Sequence, residues 1–368
     1  MAPAASPPDA RPASRSPLPP ALTTLLALAA AIVVLAGMSF GRDLIGPLAV
    51  AAVIVVICHP VRHPLERIGC PRWLATTAVI AVAYAVLVAM ALLLTFAGVE
   101  FTALVLDYAG ELRATVDTIV AWLGEMGLHS QASDTVAAML APSSLIRFIT
   151  SLGSGMLGVA TALFFIFAYV LFMAADAARY DRATSDFGPS AKPAMIRFEA
   201  FNRGVRRYYV VNACFGLVVA VIDGLALWAL GVPAPLVWAI LSFVTNFVPN
   251  IGFVLGLVPP AVLALVVGGW PLMLAVIAIY CVVNVVLQVL VQPKFVSDAV
   301  NLSLTLSFFS VLFWTFVIGP LGAILSIPLT LLLRALILER DPGTRWLRWL
   351  SGDTSATEEQ LVAARKTS

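Results

Sequence analysis

The chain has 368 residues, 61% apolar and only 11% charged, with a mean hydropathy of +0.99, whereas about a quarter of the residues in a soluble domain are charged. A net charge of +2 is too small to point to nucleic acid as a partner. Four cysteines (Cys58, Cys70, Cys214, Cys281) stand far apart without a CxxC pair, which speaks against a disulfide framework or a metal site. The fold class that remains is an all-α polytopic integral membrane protein, with no cofactor called for.

Residues 1–20 are rich in Pro, Ala and Ser and read as a disordered cytoplasmic tail. Residues 21–98 carry the first three transmembrane helices. Leu22 to Met38 is too long and too poor in small-residue cleavage positions for a signal peptide. Leu44 to Cys58 is short for an untilted crossing, so its ends are expected to extend to Gly41 and Val61. His59 and His63 have a chelating spacing, but Pro60 and Pro64 argue against a regular helix, and a solvated loop is expected. The third span is Leu74 to Gly98.

Residues 99–150 change character. Phe101, Leu104, Tyr108, Leu112, Val116, Ile119 and Leu123 form a helical apolar stripe, opposite an acidic face that includes Glu100, Asp107 and Glu111. This predicts an amphipathic extracytoplasmic region with a solvated acidic face. Residues 151–175 hold a fourth span. Residues 176–209 carry seven bases against four acids, a cytoplasmic loop by the positive-inside rule. Residues 210–338 form the core transport region, beginning with a fifth span at Val210–Gly231, and 339–368 a cytoplasmic tail. Every basic segment then lies on one side and the acidic one on the other, with both termini cytoplasmic.

Two apolar runs in the core, Leu236–Gly268 and Leu302–Leu338, are about 33 and 37 residues long. As straight helices they would measure roughly 50 Å or more, against roughly 30 Å of hydrocarbon. Each is broken near its middle, at Pro249-Asn250-Ile251-Gly252 and Gly319-Pro320-Leu321-Gly322. Either each crosses once with a broken middle, or each turns back as a hairpin; hairpins are the favoured reading. The count is then about six to eight transmembrane helices. A break at membrane depth is tolerated where it lines a protein-enclosed cavity, which marks a transporter.

No HExxH, GxSxG or Walker motif occurs, so the chain reads as a non-enzyme unable to use ATP by itself. The candidates are buried polar groups. Asp223, inside the fifth span, could bind a proton or sodium ion, or be satisfied across helices. Asn246, Pro249 and Asn250 at the first break could cradle a small polar solute, or cap half-helices. Asn284, Gln288 and Gln292 recur every four residues and either face the same cavity or join helices. Gly319, Pro320 and Gly322 lack polar neighbours and suit a turn or hinge.

Three stretches, LWALGVPAPLVWAILSFVTNFVPNIGFVLGLVPPAVLALV, VLVQPKFVSDAVNLSLTLSFFSVLFW and GPLGAILSIPLT, resemble in order and spacing the autoinducer-2 exporter family of bacterial membrane proteins. Asp223 lies outside that pattern and is read from the residues alone. The resemblance implies a homo-oligomeric secondary transporter of the bacterial cytoplasmic membrane. Its first reading is export of a small polar or amphiphilic molecule. Monovalent cation (sodium)/proton antiport is the alternative, and a non-transporting membrane scaffold the third.

Overall fold

The computed structural model describes residues 19–125, 158, 160–176, 192–249, 251–292 and 302–337. The expectations for the two tails, for residues 126–157 of the amphipathic region and its junction with the fourth span, for 177–191 of the basic loop, for Asn250 and for 293–301 lie outside these residues. Among the described residues the chain is helical, with no strand. In order they are α1 (Pro20–Phe40), α2 (Arg42–Cys58), a 3-10 turn (His59–Val61) leading into α3 (Arg62–Arg67), α4 (Arg72–Asp107) and α5 (Ala109–Glu125). There follow α6 (Ala160–Asp176), α7 (Lys192–Ala229), α8 (Pro235–Thr245), and α9 (Gly252–Asn284) with a π-helical continuation (Val285–Val291). The last two are α10 (Leu304–Ile318) and α11 (Pro320–Ile337). Four helical stretches, Arg42–Arg67, Arg72–Asp107, Met195–Ala229 and Gly252–Val291, are long and apolar enough to cross a membrane.

The described segments differ from the sequence expectations at three places. Residues 59–67 are helical despite Pro60 and Pro64, because each proline falls in the first turn of a short helix, where its missing N–H is not needed. The His59 and His63 rings meet edge to face at 5.7 Å, while the Arg62 Nε donates to Glu66 Oε1 at 2.6 Å. Secondly, α4 does not stop at Gly98 but runs to Asp107, where α5 takes over. Thirdly, α7 begins at Lys192 rather than Val210. Arg and Lys are good helix formers, so the charge change at Val210 marks a change of solvent, not a helix start.

The two broken runs fold back on themselves. In the first, α8 ends at Thr245, residues 246–249 and 251 lie in turns, and α9 returns alongside. The approach is close: a Cβ on Gly252 would overlap the Thr245 carbonyl oxygen, and one on Gly256 would meet the Thr245 hydroxyl at 3.0 Å. Gly269, with φ 67°, then divides the long apolar run into a return arm and a fresh helix. In the second hairpin α10 and α11 are joined at Gly319, with φ 76°, and Pro320 opens α11. The Trp314 indole N–H donates to Thr330 Oγ1 at 2.9 Å, Thr330 donates to Ser310 Oγ at 2.9 Å, and Ser310 donates to the Leu306 carbonyl at 2.6 Å.

Helix α2 is the shared post of the bundle. Its Ala51 and Val55 pack with Val79 and Ala83 of α4 and Val170 of α6. Its Val53 and Ile57 meet Tyr208 and Tyr209 of α7 and Ile327 of α11. The first hairpin forms a second core, in which Val237, Trp238, Ala261 and Ala264 pack on Leu227 of α7 and Leu104 of α4. Ala51, Ala83 and Ala264 are fully buried, the small-residue contacts expected where helices associate in lipid. Large apolar side chains such as Ile32, Trp228 and Phe316 face outward.

The second hairpin's bonds set a testable order of stability. Thr330→Val removes the acceptor of a buried indole N–H and should cost about 1–2 kcal/mol. Gly322→Ala should cost more, because its Cβ would overlap the Trp314 carbonyl oxygen. Detergent unfolding followed by Trp fluorescence measures both; equal stability of the two variants and wild type would contradict this packing.

Candidate functional site: a polar cleft between α7 and the first hairpin

The polar groups of the membrane region converge on one place. On α7, Tyr208, Asn212, Gly216, Val219 and Asp223 recur at helical spacing and share a face. Across from it stand Ser242, Thr245 and Asn246 at the end of α8, and Tyr280, Asn284 and Gln288 of α9 and its continuation. These walls enclose a cleft lined by Asp223, Ser242, Thr245, Asn246, Tyr280, Asn284 and Gln288, with Val219, Gly252, Phe253 and Gly256. Its free volume is about 10 Å³, close to what one water molecule needs.

Asp223 is 1% exposed. The Ser242 hydroxyl donates to its Oδ2 at 3.1 Å, while Oδ1 has no hydrogen-bond partner. The Asn284 amide donates to the Tyr280 carbonyl at 2.9 Å, which leaves Asn284 Oδ1 unpaired. The Tyr280 hydroxyl lies near Ser242 and Asp223 and makes no hydrogen bond. Three oxygens of three side chains are therefore buried around one small space without partners in the protein. Buried polar atoms are nearly always paired, so three orphans on one cleft point to chemistry rather than packing.

The tip of the hairpin is held by amides. Gln288 Nε2 donates to Asn246 Oδ1 at 2.7 Å, and Asn246 Nδ2 donates to the Asn212 backbone carbonyl at 2.9 Å. Gln292 Nε2 donates to Asn212 Oδ1 at 2.6 Å. Asn246 reaches α7 because residue 216 is glycine: a Cβ there would stand 2.7 Å from Asn246 Nδ2. Gln288 lies within the π-helix Val285–Val291, a rare form that gathers at functional sites.

The structure thus brings together Asp223, Asn246, Asn284 and Gln288, four of the residues singled out from sequence. Pro249 sits in the turn behind the cleft and does not line it. Asn250 lies outside the described residues. Gly319, Pro320 and Gly322 belong to the second hairpin and stay away from the cleft, where the geometry is that of a closed turn. Sequence reading missed Ser242, Thr245, Tyr280 and Asn212. The signal was present: Ser242, Thr245 and Asn246 are at i, i+3 and i+4, Tyr280 extends the Asn284–Gln288–Gln292 stripe by one turn, and Asn212 lies three turns from Asp223.

A second cavity of about 210 Å³ lies between α4–α5 and the first hairpin. Its walls are apolar and include Phe101, Leu104, Tyr108, Leu112, Trp238 and Pro259. The first half of the amphipathic stripe therefore packs on the membrane core.

Residues 28–340 match the family described as "AI-2E family transporter". A "Putative transport protein" of Haemophilus influenzae is 28% identical over 335 residues, covering 90% of this chain and 96% of its own length. The "AI-2 transport protein TqsA" of Escherichia coli K12 is 26% identical with the same coverage. The "Putative transport protein YhhT" of Escherichia coli K12 is 28% identical over 318 residues, covering 83% of this chain and 87% of its own. With the family match spanning most of the sequence, a helical bundle of membrane-crossing length and two hairpins, the first of them lining a buried polar cleft, the chain is a multi-pass membrane protein that belongs to the AI-2E transporter family.

Proposed function

We propose that the protein is a cation-coupled secondary transporter that exports a small polar or amphiphilic molecule from the bacterial cytoplasm, with the α7–hairpin cleft as its transport site. The observation that carries this is the position of Asp223. An ionisable carboxylate with a free oxygen shares one cleft with Asn246, Asn284 and Gln288. A proton or monovalent cation on Asp223 would change its charge and its bond to Ser242, and so the shape of the wall the solute meets. Such a shared wall is what coupling requires, because each ligand must bind the two states of the site unequally. Space for about one water means that the cleft must open before a solute larger than that can enter.

The antiport alternative draws on the same volume. Three unpaired oxygens around a water-sized space suit a lone monovalent cation or a proton carried on Asp223. The scaffold alternative has no use for such a cleft. Both transport readings keep the lipid bilayer as the surroundings, a homo-oligomer as the assembly and both termini on the cytoplasmic face. The outward apolar side chains support the first of these and the charge pattern of the loops the last.

Two substitutions test the site. In proteoliposomes with an imposed pH gradient, Asp223→Asn should lower proton movement, read by an entrapped pH dye, by roughly tenfold at equal protein incorporation. Wild-type flux in that variant would remove Asp223 from the coupling role. Gly216→Ala should drive Asn246 off its partners and lower cation-coupled flux by a comparable factor, about tenfold, while leaving the bundle folded. Export and antiport separate by experiment: comparing the metabolites retained by cells with and without the protein should reveal an accumulated small molecule only if export is right.

A further inference from the structure

The cleft has a floor, and two of the amides that form it, Asn212 and Gln292, do not line the cleft itself. From Asp223, the polar face of α7 continues through Asn212 to Tyr208, fifteen residues or roughly 22 Å along the axis, most of the roughly 30 Å hydrocarbon thickness. Arg207 stands next to Tyr208 and Arg203 just over one turn beyond it, both exposed at the basic end of the helix. Between the cleft and that end four amides meet at one level of the polar face, above the buried cluster of Tyr208, Tyr209 and Phe247. There Gln288, Asn246, Asn212 and Gln292 are joined by bonds of 2.7, 2.9 and 2.6 Å. Asn212 is 5% exposed, and its side chain also lies against the Tyr208 hydroxyl.

We propose that Asn212 and Gln292, with Asn246 between them, are the gate that closes the cleft toward the basic end of α7. This rests on the reading of the cleft as the transport site and adds the residues that control access to it. The bonds link three separate pieces of the chain, α7, the hairpin tip and the continuation of α9, so a relative shift of the tip must break them. Neutral amide bonds within a membrane are modest in strength, so solute or ion binding can open them. Each amide also retains donor or acceptor capacity, so the opened gate presents hydrogen-bonding groups to a passing polar solute. A purely adhesive contact would serve equally well with apolar side chains of the same volume. A gate would not.

The test needs no knowledge of the transported molecule. In the full-length protein with Cys58, Cys70, Cys214 and Cys281 replaced by Ala, Val219→Cys places a thiol on the cleft wall. A membrane-impermeant quaternary-ammonium methanethiosulfonate is then added from the face carrying Arg203 and Arg207, in vesicles of defined orientation. Asn212→Leu with Gln292→Leu keeps the side-chain volume but removes the bonds, and should raise the labelling rate of the Val219→Cys thiol by roughly tenfold. The single variants should give intermediate rates and serve if the double variant does not fold. An unchanged rate in folded variants, judged by monodispersity, would reduce the amides to interhelical adhesion and overturn the gate. The Asp223→Asn flux experiment is independent of this one. Unchanged labelling with lost flux overturns the gate alone, and faster labelling with retained flux overturns the coupling role alone.

Discussion

In hydrocarbon a polar group that finds no partner within the protein finds none at all, and each such group costs several kcal/mol. That constraint governs both broken segments of this chain, and they meet it differently. In the second hairpin Trp314, Thr330, Ser310 and the Leu306 carbonyl satisfy one another in a closed series. The turn at Gly319 is complete within itself, and α10 and α11 behave as one block. In the first hairpin the accounts stay open. Asn246, at its tip, must reach across to Asn212 and Gln288, and Asp223, Tyr280 and Asn284 each keep a buried oxygen unpaired. The two hairpins look alike as apolar helices interrupted by Gly and Pro, yet one closes on its own hydrogen bonds and the other borders the polar cleft.

The arrangement around the site follows from the same constraint. Helix α7 carries its polar residues on a single face, and glycine at 216 on that face lets the hairpin tip come close enough to bond. The opposite wall is the Tyr280–Asn284–Gln288–Gln292 stripe, whose far half passes into a π-helix. Helix α2 holds the remainder by touching α4, α6, α7 and α11 through small and β-branched side chains. The first hairpin is held on its other side by Leu104, Phe101 and Tyr108, with the 210 Å³ apolar cavity beside them. The cleft is thus bounded by packed helices on two sides and by a hydrogen-bonded floor on a third.

Family membership bounds the activity to transport; on the proposal above, the solute and the coupling ion are set by the residues of the cleft. Those residues are neutral amides and hydroxyls with one carboxylate. Such a lining suits a hydroxylated or cationic occupant better than an anion.

By itself the sequence determined the class and the candidates. Its apolar content demanded a membrane, its charge distribution set an expectation for the sides of the loops, and Asp223, Asn246, Asn284 and Gln288 stood out because polar side chains in hydrocarbon are costly enough to need a reason. What it could not decide was which polar residues meet. Helix α7 starting at Lys192, α4 running on to Asp107 and helical residues 59–67 all depart from boundaries drawn by composition, since a helix begins where backbone geometry allows and not where polarity changes. Only the tertiary structure showed that the hairpin turns back after Thr245 and seats Asn246 against Gly216. It also joined Asn212 to Gln292, eighty residues apart, and left the second break sealed. These outcomes depend on contacts between helices distant in the chain, and neither hydropathy nor periodicity within a single helix carries that information.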